Sequence, residues 1–305
     1  VAIDRIESIL NHLRHLLAIP SQYEIVLCSG GARQQYELIA SNFSDLGFEV
    51  GISGCWSRSW YDTLRQIQHS NVSSQPVNSD NVQHFLSGSN SKNHIRCLVS
   101  NETVDGVMLP HVNRQSGMVI ADVTSDLGFR TIPIEHYSML FAATGKAFGV
   151  SGMCIVIINK DFLKKARNNL PSLQSYPSMV AHRSMYATPP LICIDMLGHM
   201  LDWISRSGGM QAIEVRQKHR SKKLYEILDA HPKFIIKTTQ KLRSMHNICF
   251  DILENQAHFF KQADNLGLLG LRGHRLVGGG RISLTHGVSD QAFADLCQFL
   301  IEYRG

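Results

Sequence analysis

The 305-residue sequence predicts an α/β fold: a large domain on a mostly parallel sheet flanked by helices, then a smaller C-terminal α+β domain. Strand-like and helix-like patterns alternate from Ile3 to about Ile204, as a doubly wound sheet requires. Gly208-Gly209 then separates two helical stretches, which sets the expected division at residues 1–208 and 209–305. The remainder from His231 reads as short strands with two helices, the pattern of a small domain closing over a larger one. A chain of this length can bury two cores of the usual size.

The chain opens on an amphipathic helix, in which Ile3, Ile6, Ile9, Leu10, Leu13, Leu16 and Leu17 recur at helical spacing. Glu24–Cys28 reads as a strand, Ser29-Gly-Gly-Ala-Arg33 as a turn and Gln34–Ala40 as a helix. Glycine allows close backbone approach and the first N–H groups of a helix are unpaired, so this turn can cradle an anion. An ordinary strand-to-helix connection has the same pattern. Phe48–Ile52 is the next strand, and Trp56 after it offers a flat face either to a ring or to the core. Ser70 to Asn93, rich in Ser and Asn, reads as surface loop around a short helical piece near Val82–Leu86.

Met118-Val-Ile-Ala-Asp-Val-Thr-Ser-Asp126 is an apolar run ending in an acid and hydroxyls, a buried strand that delivers Asp122 to the C-terminal edge where open α/β sheets bind ligands. Phe141-Ala-Ala-Thr-Gly-Lys-Ala-Phe-Gly-Val-Ser-Gly152 sets Lys146 among small residues ahead of the apolar strand Met153–Ile158. A lysine held against apolar walls or beside another cation loses part of its basicity and can form an imine, whereas a solvated loop lysine carries no chemistry. Leu191–Ser205 and Met210–Ala230 are helices. Strands follow at Phe234–Lys237 and Asn247–Asp251, then a helix near Asn255–Asn265, the strand Arg281–Leu284 and a last helix from Ser289. Ser289 is a plausible cap, and Phe293, Leu296, Phe299 and Leu300 form a core face.

Composition narrows the function. Lys and Arg number 30 against 25 acids, a balance too slight for nucleic acid, and no basic run is interleaved with aromatics. Cys28, Cys55, Cys97, Cys154, Cys193, Cys249 and Cys297 lack metal-ligand spacing and read as reduced, mostly buried thiols of a cytoplasmic protein. No apolar run spans a membrane, and no signal peptide is visible. An imine-competent lysine, a strand-end acid and an anion cradle are the parts a pyridoxal 5'-phosphate site needs, because the acid keeps the pyridinium nitrogen protonated and the ring an electron sink.

The order of these segments resembles the phosphoserine aminotransferases, class V members of the fold type I pyridoxal phosphate enzymes, from about Ile3 to Arg304. The most specific passages are Gly30-Gly-Ala-Arg33, Asn101-Glu-Thr-Val-Asp-Gly106, Ser184-Met-Tyr-Ala-Thr-Pro-Pro190 and Gly273-His-Arg-Leu-Val-Gly-Gly-Gly-Arg281. The resemblance implies a homodimeric enzyme of serine biosynthesis that exchanges the amino group between L-glutamate and 3-phosphohydroxypyruvate, giving O-phospho-L-serine and 2-oxoglutarate. By the same resemblance Lys146 would bind the cofactor covalently, Asp122 would meet its pyridinium nitrogen, and Trp56 would stack on its ring. Thr103 would bond near its 3-oxygen, and the backbone of Ala32 and Arg33 would hold its phosphate together with Thr188 of the partner subunit. Arg281 would clamp the substrate α-carboxylate, and His274 with Arg275 the substrate phosphate. A substrate with two anionic ends needs two separated cationic poles, and arginine suits both. Without the resemblance, the same residues read as a basic turn and a flexible connection.

Three positions depart from the family pattern: Gly145 and Ala147 replace a glutamine and an asparagine around the lysine, and Ala187 replaces an asparagine before Thr188. Each loses a side-chain donor, an expected cost to cofactor retention of about 0.5–1.5 kcal/mol per bond. The family also has an N-terminal arm with a substrate-contacting His-Arg pair, which lies outside these 305 residues. Another pyridoxal phosphate reaction on the same scaffold, lyase or desulfurase, and a noncatalytic homologue acting through its dimer surface are the alternative readings.

Overall fold

The computed structural model describes residues 2–68, 71–88, 93–114, 117–187, 189–253 and 255–304. Its elements in chain order are α1 (Ala2–Leu16), β1 (Tyr23–Ser29), α2 (Ala32–Asn42), β2 (Gly47–Ile52), α3 (Cys55–Gln68), β3 (Val72–Pro76), α4 (Val82–Ser87), β4 (His94–Val99), β5 (Asn101–Glu102), β6 (Val107–Met108), β7 (Met118–Asp122), β8 (Met139–Ala143), β9 (Met153–Asn159), α5 (Lys160–Leu163), α6 (Tyr176–Ala181), α7 (Leu191–Arg206), α8 (Gly209–Ala230), β10 (Phe234–Ile236), β11 (Asn247–Ile252), α9 (Gln256–Asn265), β12 (Gly280–Ser283) and α10 (Asp290–Glu302).

Seven strands form one sheet in the order β1-β9-β8-β7-β4-β2-β3. Every strand runs the same way except β9, which is antiparallel to β1 and β8. Both faces are covered, so the central strands are apolar on both sides rather than alternating. In β9 the side chains still divide by the period of two: Met153, Ile155 and Ile157 pack toward α1 and α7, and Cys154, Val156 and Ile158 toward α2 and α3. Ile6, Ile9 and Leu13 bury the inner stripe of α1, while Ile3 at its start is 54% exposed.

A second, antiparallel sheet of β10-β11-β12 packs with α9, α10 and the end of α8 around a separate core. Helix α8 joins the two cores, with Met210 and Ile213 in the first and Leu224, Ile227 and Leu228 in the second. Ser289 caps α10 by accepting from the Ala292 N–H at 3.1 Å. Among the described residues no helix is long and apolar enough to cross a membrane.

Two elements differ from the sequence expectation. The polar stretch after residue 70 contains β3, paired in parallel with β2 from Phe48↔Val72 onward. It is an edge strand that buries Val72, leaves Ser73 and Ser74 in solvent and ends on Pro76, so its polarity marks the sheet edge rather than a loop. Trp56 lies in the first turn of α3, a helix whose buried positions are Ser57, Trp60 and Leu64.

Candidate active site

The strand register brings the segments carrying Ala32, Arg33, Thr103, Asp122 and Lys146 to one edge of the large sheet, while Arg281 lies on β12 of the other sheet. Ser29 at the end of β1 pairs with Met153 at the start of β9, Ala143 at the end of β8 with Cys154, and Asp122 at the end of β7 with Phe141 and Val99. The Gly30-Gly31 turn, the Lys146 loop, Asp122 and the segment after β4 therefore all emerge at the C-terminal edge of the parallel strands. The Gly30 N–H donates to Gly152 C=O at 2.9 Å, fastening the glycine turn to the end of the lysine loop.

Gly30 has φ of +102°, a conformation that favours glycine. Gly31 is the N-cap of α2 and supplies no capping side chain. A Cβ added to Gly31 would meet nothing within 4 Å, so the helix start, with the backbone of Ala32 and Arg33, is open to an approaching group. The Arg33 guanidinium lies 5.3 Å from the centre of the Trp56 ring.

Trp56 is held at both ends. Its backbone N–H donates to Glu102 Oε2 at 2.8 Å, the Ser57 N–H to Glu102 Oε1 at 2.8 Å and the Cys55 N–H to Asp105 Oδ2 at 3.0 Å. Two carboxylates from the β5–β6 hairpin thus cap α3. Glu102 is fully buried, and that burial pushes its carboxyl up to about 7 despite the two N–H donors. The Trp56 indole N–H donates to Thr103 Oγ1 at 3.0 Å, while Thr103 C=O accepts from Arg281 Nη1 at 3.1 Å. Cys55, Glu102 and Asp105 bring ligand-type atoms within 4.8 Å of one another. Both carboxylates are engaged by α3, and burial pushes the Cys55 thiol up to about 11, so the group is a helix cap rather than a metal site.

Asp122 is 5% exposed. Its Oδ1 accepts from the Thr124 N–H at 2.9 Å and its Oδ2 from the Tyr36 hydroxyl at 2.9 Å. Burial raises its carboxyl, and these bonds oppose the rise; among the described residues no cationic side chain pairs with it. Lys146 is exposed on the loop between β8 and β9, where partial enclosure by surrounding protein and then the Arg281 charge lower its basicity.

His274 and Arg275 occupy a turn leading into β12. His274 C=O accepts from the Val277 and Gly278 N–H groups at 3.0 and 2.9 Å, and its Nδ1 accepts from the Leu276 N–H at 3.3 Å. Arg275 is exposed on this turn. Thr188 lies outside the described residues; the preceding Ala187 is exposed.

The sequence pattern of class-V aminotransferases matches residues 1–277. The chain belongs to the class-V aminotransferase family. It is 30% identical to a phosphoserine aminotransferase of Shouchella clausii over 99% of this chain and 85% of that one. It is 32% identical to one from Legionella pneumophila, over 95% and 83% of the two chains. Among solved structures, phosphoserine aminotransferase from Bacillus circulans subsp. alkalophilus superimposes with a TM-score of 0.90 at 25% identity, over 98% of this chain and 85% of that one. The pyridoxal-phosphate-bound phosphoserine aminotransferase of Trichomonas vaginalis does so with a TM-score of 0.87 at 28% identity, over 98% and 88%.

The residues of this class-V aminotransferase fit a pyridoxal phosphate group. A buried carboxylate without a cationic partner is costly, and a pyridinium would supply that partner. The open helix start suits a phosphate, and Lys146 has reduced basicity. The departures around the lysine also have a structural setting. Ala147 is fully buried, and its Cβ packs so near Gly128 that a Cβ added to Gly128 would come within 2.6 Å of it. A Cβ at Gly145 would meet Ser151 Oγ at 2.3 Å. Two contributors, Tyr36 and Glu102, escape sequence reasoning. Both sit in polar stretches, Arg33-Gln-Gln-Tyr-Glu37 and Ser100-Asn-Glu-Thr103, so neither stands out from its neighbours, and the partner of each lies on a distant element.

Proposed function

We propose that the protein is a phosphoserine aminotransferase, moving the amino group of L-glutamate to 3-phosphohydroxypyruvate through bound pyridoxal 5'-phosphate. The observation that carries this reading is Asp122, a buried carboxylate that pairs with no cationic side chain among the described residues, at the same sheet edge as a lysine of lowered basicity. When bound, the cofactor supplies an electron sink for charge developing at the substrate α-carbon. Asp122 would hold its ring nitrogen, Trp56 its ring face, Thr103 the region of its 3-oxygen, and the backbone of Ala32 and Arg33 its phosphate, completed by Thr188 of the partner subunit. Lys146 would anchor it covalently and, once released by substrate, carry the proton removed from the α-carbon. Arg281 would bind the α-carboxylate, and His274 with Arg275 the distal phosphate. Both amino donors carry a second anion, so one pocket serves both.

In this reading residues 1–208 form the cofactor-binding domain and 209–305 the small domain. The homodimer is supported by apolar side chains exposed around Thr188: Tyr186 at 49%, Leu191 at 55% and Ile192 at 65%. The test is the absorption spectrum of the protein with pyridoxal phosphate, before and after O-phospho-L-serine. Conversion to the pyridoxamine form is expected. A spectrum answering only to an amino acid without a distal anion would overturn the substrate, and no cofactor spectrum would overturn the enzyme.

A further inference from the structure

We infer that Tyr36 is a positioning residue for Asp122, fixing the carboxylate and keeping it ionised so that the cofactor's ring nitrogen stays protonated. The inference rests on the functional reading above. Tyr36 follows the glycine turn on α2 and is 1% exposed. Its ring lies parallel to Trp60 with centroids 4.9 Å apart and meets Phe141 edge-on at 6.0 Å. This packing holds the phenol and aims its hydroxyl at Asp122 Oδ2, 2.9 Å away. With the Thr124 N–H on Oδ1 and the Thr124 hydroxyl also bonded to the carboxylate, Tyr36 supplies the fixed donor on Oδ2 and the plane of the group is set.

The electrostatic consequence follows from the burial. A carboxylate so enclosed tends to take up a proton, and hydrogen bonds to its charged form oppose this. If Asp122 gained the proton, it would be drawn from the ring nitrogen and the electron sink would weaken. The phenol itself stays neutral and a donor, because burial and the Asp122 charge push its ionisation well up. The other charges facing it are Glu102 on β5 and Arg33 on α2, and the Cys154 thiol on β9 faces Asp122.

The test compares holoenzyme with the Tyr36→Phe variant, which keeps the stacked ring and removes only the hydroxyl. Ring-nitrogen protonation is read by nitrogen NMR of isotope-labelled pyridoxal phosphate across pH, alongside the cofactor dissociation constant. In Tyr36→Phe the ring nitrogen should lose its proton about one pH unit lower, with retention weakened about tenfold. Replacement of Tyr36 by difluorotyrosine, a stronger donor of nearly the same shape, should move the titration the opposite way, and it serves if the phenylalanine variant folds poorly. Identical titrations in a wild-type protein that loads normally overturn the inference alone. A wild-type protein that takes up no pyridoxal phosphate overturns the functional reading and the inference with it.

Discussion

Single side chains in this site act through what burial does to charge. Glu102 is the clearest case, a carboxyl pushed up to about 7 while it caps the helix that carries Trp56. A carboxyl raised on folding contributes stability that is complete below its unfolded value near 4.5 and is lost as pH rises through about 7. The wild-type protein should therefore lose up to about 3 kcal/mol from this group between about pH 5 and pH 8. Glu102→Gln should be less stable at acid pH and flatter across that interval, measured by denaturant unfolding. A wild-type profile with the same slope as the variant would remove Glu102 from the account. Arg275 faces solvent and has no packing role to lose. Arg275→Ala should raise KM for O-phospho-L-serine about tenfold or more, with little change for an amino acid lacking a distal anion. Equal changes for both would refute its assignment to the phosphate.

At the scale of elements, the site depends on how the small domain is fastened to the sheet edge. Asp126, on the turn after β7, accepts from Arg130 Nε at 3.0 Å and Nη2 at 2.5 Å, and lies 3.2 Å from His246 Nε2 just before β11. Asn101 on β5 accepts from Ser244 Oγ at 2.5 Å and donates to Asn247 Oδ1 at 3.0 Å. The hairpin that holds Trp56 is thus also bonded to the small domain. Asp126→Asn would leave the Arg130 guanidinium buried without its counter-charge, an expected loss of about 3–5 kcal/mol in unfolding experiments. Arg130 and His246 hold the Asp126 carboxyl below the usual range, so its contribution is present above that range and lost as pH falls. The variant should lack this acid-side decline. The apolar strands and the lysine and aspartate at their ends were legible because a two-sided buried strand has a distinctive composition. The edge strand β3 was not, since polarity at a sheet edge resembles a loop, and α3 went unread although Trp56, Trp60, Leu64 and Ile67 recur at helical spacing. The Tyr36–Asp122 and Glu102–Trp56 bonds join residues 86 and 46 positions apart, a pairing that only the register of the folded sheet supplies.

For the molecule as a whole, two cores joined by α8 bring Arg281 of β12 to the segment after β4, where its Nη1 donates to Thr103 C=O. The reading requires a second copy of the chain to complete the phosphate site at Thr188. Ile192→Asp, at an exposed apolar position shortly after Thr188 in the sequence, should yield a monomer with weakened pyridoxal phosphate retention, measured by sedimentation and cofactor titration. A monomer that retains the cofactor as tightly as the wild type would show that the site is complete within one chain. The central claim, that Lys146 is the covalent anchor, has a more direct test. Borohydride reduction of the cofactor-loaded protein, followed by peptide mass mapping, should find the pyridoxyl group on the peptide containing Lys146 and nowhere in Lys146→Ala. The group on any other lysine, or retained in the variant, would contradict the account.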